Sequence, residues 1–142
     1  MSFRFLVGAL LVVVGCSGVT DASVTASIAL VDGIVTVEGT VNGNREHCQG
    51  PHPFFSDIRA GMEVVVRDAR GAVVGTGQLD AGEPYLDHRS GTQDVYYCRL
   101  PFNVGLTRYV DAYDFSFGER AGPSYTHSEL EDLSWRIAVA VR

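Results

Sequence analysis

The run Tyr96-Tyr97-Cys98-Arg99-Leu100-Pro101-Phe102-Asn103-Val104 alternates. Tyr96, Cys98, Leu100, Phe102 and Val104 fall on one face of an extended strand, and Tyr97, Arg99 and Asn103 on the other, because successive strand side chains point to opposite faces. The same period of two recurs on both sides of it. Upstream, Val24, Ala26, Ile28 and Leu30 alternate with Thr25, Ser27 and Ala29, and Val35, Val37 and Val41 alternate with Thr36, Glu38 and Thr40. Asp32-Gly33 lies between these two runs and reads as a two-residue hairpin turn. Met62, Val64 and Val66 form the next face, and Ala69-Arg70-Gly71 turns the chain into residues 73–79, where Gly75 and Gly77 suggest a bulge or a close backbone approach. Downstream, Tyr109, Tyr113, Phe115 and Phe117 share a face, as do Trp135, Ile137, Val139 and Val141.

Half-buried strands of this length predict an all-β domain over residues 24–142, an antiparallel β-sandwich of about seven strands. Thr126 and Glu129 have the spacing of a capping box, which predicts one short helix near the C-terminus over residues 127–133, with Leu130 and Leu133 facing inward. Residues 42–61 and 80–94 form unusually long loops, where binding and catalytic groups concentrate.

Residues 1–23 are organised differently. Phe5 to Val14 carries no polar side chain and follows a single positive charge, Arg4. The stretch is too short for a hydrocarbon core that needs about 20 residues, and it suits the apolar core of a secretory signal. It ends in Val13-Val14-Gly15-Cys16, which resembles a bacterial lipobox. That resemblance implies that the Cys16 thiol receives a diacylglyceryl group and that residues 1–15 are removed as a lipoprotein signal peptide. Residues 16–23 are then a lipidated cysteine and a short, small and polar tether. Two acyl chains such as palmitate hold a protein stably on a bilayer, so the implied location is the extracytoplasmic face of the cell membrane.

A second resemblance covers most of residues 24–142. Ser-Asp-Ile-Arg-Ala-Gly at 56–61, Val-Val-Gly-Thr-Gly-Gln-Leu at 73–79, Cys-Arg-Leu-Pro-Phe-Asn-Val at 98–104 and Tyr-Thr-His-Ser-Glu-Leu at 125–130 stand in an order similar to that of small exported lipoproteins of actinobacteria, the mycobacterial type included. The resemblance implies location and fold. It brings no catalytic residues with it.

The 142 residues contain no lysine, and 17 acids against 11 arginines give a net charge of −6. A chain with no basic excess has little to grip phosphates, so nucleic acid is excluded as the expected partner. Hydrophobic residues make up 46% of the chain, which excludes wholesale disorder. With Cys16 acylated, Cys48 and Cys98 are the remaining thiols, and two thiols in an exported domain pair as a disulfide. Trp135 follows both cysteines, whereas an immunoglobulin domain places its tryptophan between them, so the sandwich is not of that type.

Candidate chemistry lies mostly in the loops. His47, His52, Asp57 and His88 are zinc-ligand types, but their spacing matches no familiar site. Asp32, Asp57, Asp80 and Asp111 are the carboxylates best placed for calcium, yet no EF-hand loop is present. Ser56 and Asp57 near His52 form the only local grouping of nucleophile, acid and imidazole, and no G-x-S-x-G elbow occurs. Neither a metal nor another cofactor is expected. Pro51-His52-Pro53-Phe54-Phe55 has two readings: Phe54 and Phe55 plug the sandwich end from opposite sides, or one of them stays exposed beside the prolines and serves a partner surface, because adjacent phenylalanines in a loop do not easily share one core.

The sequence therefore reads as a lipid-anchored extracytoplasmic β-sandwich that acts as a non-catalytic binding or cell-envelope interaction module. Its partners would be the membrane, through the acyl chains, and an envelope protein or glycan. The alternative is a metal-assisted or hydrolytic envelope enzyme using the His47–Asp57 loop. Palmitate labelling of the full chain tests the anchor: labelling and lipoprotein-type cleavage are expected in the native chain and should be lost in Cys16→Ala, and labelling retained in that variant removes the basis for it.

Overall fold

The computed structural model describes residues 27–38, 40–41, 48–50, 53–87 and 95–141. Its spine is a long ladder between β1 (Ala29–Glu38) and β7 (Val95–Leu106), antiparallel from Ala29↔Leu106 to Glu38↔Tyr97. The alternation expected for Val35 and Val37 and along β7 sets the inward face: Val31, Val35 and Val37 of β1 and Cys98, Leu100, Phe102, Val104 and Leu106 of β7 are buried. Ile28 and Leu30, expected to share a face with Val24 and Ala26, are exposed instead, because β1 runs unbroken through Asp32-Gly33 in the phase of Val35. The signal-peptide and tether readings, residues 1–23, lie outside the described residues.

The other edge of β7 is shared by two strands. β5 (Val73–Gln78) takes its C-terminal end through Gly75↔Leu106, and a single bridge, Leu79↔Phe102, carries the chain across. β6 (Glu83–Asp87) then takes the N-terminal end, from Glu83↔Arg99 to Asp87↔Val95. β4 (Glu63–Arg67) joins β5 on its far side, followed by β8 (Ala112–Phe117) and β9 (Arg120–Thr126), all antiparallel. At the opposite end β10 (Arg136–Val141) lies parallel to β1, from Asp32↔Arg136 to Val37↔Val141. The order is β10-β1-β7-β5-β4-β8-β9, with β6 on β7, and β2 (Thr40–Val41) and β3 (Cys48–Gln49) form a separate pair.

The all-β class and the short C-terminal helix, α1 (His127–Asp132), are thus present, with Leu130 buried as expected but Leu133, the C-cap, exposed instead of facing inward. What would be the facing layers of a sandwich are two halves of one eight-stranded sheet, curled almost to a barrel, and one of its pairings is parallel. A single cluster fills the interior, with Tyr113, Phe102, Ile58, Leu79, Leu100, Leu106 and Leu130 its largest fully buried side chains.

The hairpin expected at Asp32-Gly33 is corrected, because both residues lie inside β1. Glycine is needed at 33 for another reason. A Cβ there would stand 2.0 Å from the Phe102 ring, which is seated directly on the backbone. The Ala69-Arg70-Gly71 turn does form: Asp68 Oδ1 accepts the N–H groups of Arg70 and Ala72 at 2.9 Å each, and Gly71 adopts φ +82. Cys48 and Cys98 are bonded, with Cα atoms 5.5 Å apart across a sequence separation of 50 residues. This pins β3 to the buried face of β7, and a loop of that size contributes about 4 kcal/mol in the chain-entropy account.

Gly33→Ala forces the Phe102 ring off its seat, and overpacking of this kind costs about 1–3 kcal/mol. Urea unfolding should show the loss as a lower midpoint with an unchanged slope, and an unchanged midpoint would show that the ring is not confined there.

Candidate functional site

β9 and β10 are consecutive in the chain and run in opposite directions, yet each is an edge of the sheet and neither pairs with the other. Between them lies a cleft of about 490 Å³, within the size range of small-molecule and peptide pockets. Ala121, Gly122, Pro123 and Tyr125 of β9 form one wall, and Ala138 to Val141 of β10 form the other. Val35 and Phe117 lie beneath, and Phe55, Ile58 and Met62 close one end.

Local sequence explains each wall. Gly122 lies where β9 slips register against β8, and a Cβ there would meet the Phe117 ring at 2.8 Å and the Phe115 carbonyl oxygen at 2.9 Å. Pro123 follows it, as befits an edge strand that needs no further ladder. Tyr125 packs edge-on against Phe115, with ring centroids 5.9 Å apart, and burial raises its phenol pKa. β10 carries only Arg136 as a charge, and Val139 and Val141 turn half-buried toward the interior while Ala138 and Ala140 are exposed.

The element that separates the two walls is α1 with its flanking turn. Thr126 caps the helix, its hydroxyl accepting from Glu129 N–H while the Glu129 carboxylate accepts from Thr126 N–H at 2.7 Å, which lowers the Glu129 pKa. The helix ends in a Schellman pair: Trp135 N–H donates to Leu130 O at 2.7 Å and Ser134 N–H to Glu131 O at 2.8 Å. Glycine is usual at such a stop, but here Ser134 and Trp135 take φ of 53 and 58. Side-chain packing holds them there. Leu130 is fully buried, and the Trp135 ring lies 5.3 Å from His127 and 6.1 Å from Tyr113, centroid to centroid.

This corner also brings together Tyr113, His127 and Glu131. The Tyr113 hydroxyl lies 3.0 Å from His127 Nδ1, and His127 Nε2 lies 3.2 Å from Glu131 Oε1. The line resembles a hydroxyl–imidazole–carboxylate relay. Tyr113, however, is fully buried, its oxygen also accepts the Val110 N–H at 3.1 Å, and burial raises its pKa. The phenol ties α1 to β8 through His127.

At the closed end of the cleft, Arg120 latches the preceding loop. Its guanidinium makes two 2.8 Å bonds to Asp57, donates to Phe54 O and lies 5.1 Å from the centre of the Phe55 ring. Arg120 hydrogen bonding holds the Asp57 carboxyl below its ordinary pKa, and Asp57 raises that of Arg120 in return. Asp57 is therefore the ion-pair partner of Arg120.

Of residues 51–55, Phe55 packs against the core at the end of the cleft, Phe54 is 75% exposed and Pro53 is exposed. Pro51, His52, His47 and His88 lie outside the described residues. The calcium candidates are dispersed: Asp32 lies within β1 and accepts from Asn103 Nδ2, Asp57 pairs with Arg120, Asp80 follows β5, and Asp111 precedes β8. Among the described residues, no three of His, Cys, Asp and Glu come together as a cation site.

The cleft itself was not among the sequence-derived candidates. The Gly122-Pro123 pair in β9 was the one available sign of an edge. Compared with protein-family models, curated proteins and solved structures, the chain matches none of them. Fold and site together define an open, curled all-β domain with a slot where its two sheet edges face one another.

Proposed function

We propose that this chain is a lipid-anchored, extracytoplasmic binding module without catalytic function, and that it takes its ligand in the cleft between β9 and β10. The observation that carries the reading is the cleft itself, lined by strand backbone and mainly apolar side chains. Its walls are two strand edges, its floor is Val35 and Phe117, and among the described residues its ionised lining group, Arg120, is already paired with Asp57. Such a surface rewards burial of apolar groups and offers nothing that would activate a nucleophile.

The anchor rests on Val13-Val14-Gly15-Cys16 after the short apolar segment, and on the resemblance to exported actinobacterial lipoproteins. Among the described residues, no helix is long and apolar enough to cross a membrane. Of the two partner classes that suit a cell envelope, protein and glycan, the cleft favours protein. Among the described residues, and apart from Arg120 and Tyr125, its lining side chains offer no hydroxyl, amide or carboxylate to meet sugar hydroxyls.

Photo-cross-linking in the living cell tests the reading. A photoreactive phenylalanine analogue at Ala121, on the cleft wall, should trap a discrete adduct. The same analogue at Val73, exposed on β5 and away from the cleft, should not. Val139→Trp fills the cleft and should abolish the Ala121 adduct. An adduct of equal yield from Val73, or one that survives Val139→Trp, would overturn the assignment.

A further inference from the structure

We infer that the occupant of the cleft is an extended polypeptide segment that adds to the free edge of β10 as one more strand, antiparallel to it, with an acidic residue at its C-terminal end. The inference rests on the reading of the cleft as the ligand site and specifies what that site takes.

The backbone of β10 supplies the first argument. Asp32 N–H donates to Trp135 O at 2.9 Å, which fixes the phase of the parallel β1–β10 ladder. In a parallel pair each strand offers alternate residues to its neighbour, so the odd-numbered residues of β10 serve β1. The N–H and C=O groups of Ala138 and Ala140 and the C=O of Arg136 then point toward the open edge, while the Arg136 N–H is taken by Leu133 O at 3.1 Å. Edge strands are usually blunted by proline, charge or bulges, because such a row is a template for another strand. β9 across the cleft has those devices, with a register slip, Gly122 and Pro123. β10 has none between Ile137 and Val141.

Side-chain geometry supplies the second. A strand added to β10 turns alternate residues inward, over Val35, Phe117 and Tyr125. Its other residues face outward beside Ala138 and Ala140, whose small exposed side chains leave room for any polar group. The fitting segment therefore alternates apolar and polar residues.

Charge supplies the third. Arg136 is exposed, stands at the first position of β10 and forms no ion pair among the described residues. Arg120, at the other end of the cleft, is taken by Asp57. An antiparallel occupant brings its C-terminal end to Arg136, so an Asp or Glu there completes a pair. A second copy of β10 would not supply it, since that strand contains no acid.

Fluorescence anisotropy with the full chain in mild detergent tests this, using a labelled synthetic peptide Thr-Val-Thr-Val-Thr-Val-Glu and a control ending in Lys. The Glu peptide should bind saturably and more tightly than the Lys peptide, and Arg136→Glu should reverse that preference. Ala138→Pro removes an outward N–H that β1 does not use, so it should leave the melting temperature in place. It should weaken the peptide by about tenfold, the effect of one lost hydrogen bond and a disturbed ladder. Unchanged binding in Ala138→Pro, or no saturable binding of either peptide, overturns the strand inference. The Ala121 adduct and its loss in Val139→Trp judge the cleft reading separately. A dimer in sedimentation that Ala138→Pro dissociates would make a second copy the occupant, and would also overturn the proposal.

Discussion

The connection between β9 and β10 is the constraint on which the architecture turns. Two consecutive, oppositely directed strands would ordinarily close into a hairpin, and here that hairpin would complete a barrel. A capped helix stands in its place. Leu130 plants it in the core, the Tyr113 hydroxyl holds His127, and Trp135 wedges between Tyr113 and the helix. The left-handed backbone at Ser134 and Trp135 is tolerated because those contacts over-determine it. With the connection held this way, β10 finds its partner on the far side, in β1, and the parallel pairing follows.

The remaining structure accommodates that choice. A sheet that stops short of closure leaves a cleft above Val35 and Phe117, and the loop carrying Phe55, Ile58 and Met62 folds against one end of the gap. Arg120 fixes the loop by joining Asp57 and Phe54 O to the start of β9. Elsewhere the core is sealed. Gly33 admits the Phe102 ring, Gly122 admits the edge of Phe117, and the Cys48–Cys98 bond ties down β3. Among the described residues, the site is where the two end strands of the sheet, β9 and β10, face one another unpaired.

Much of this was legible in the sequence where the physics is local. Period-two alternation marked β7, β8 and β10, because each buries one face, and Thr126 with Glu129 marked the helix, because a capping box is a four-residue event. The alternation of Met62, Val64 and Val66 located β4, although Val65 on its other face is buried as well. Gly33 misled because glycine serves two purposes. Its neighbour Asp32 suggested a turn, while the actual requirement is set by Phe102, 69 positions away along the chain. β6 and β9 were hidden by Pro84 and Pro123, which edge strands accept and pattern reading penalises. At Phe54 and Phe55 the divergence of two neighbouring rings was readable, but which one faced the core was not. The cleft was not readable at all, since it arises from strand order, and strand order depends on contacts between distant segments.

Native-state amide hydrogen exchange along β10 tests the open edge most directly. The account predicts strong protection at Ile137, Val139 and Val141, whose amides serve β1, and fast exchange at Ala138 and Ala140, whose amides face the cleft. Equal protection at all five would contradict it, since it would mean that β10 is already paired on both sides and that the sheet has no free edge to offer.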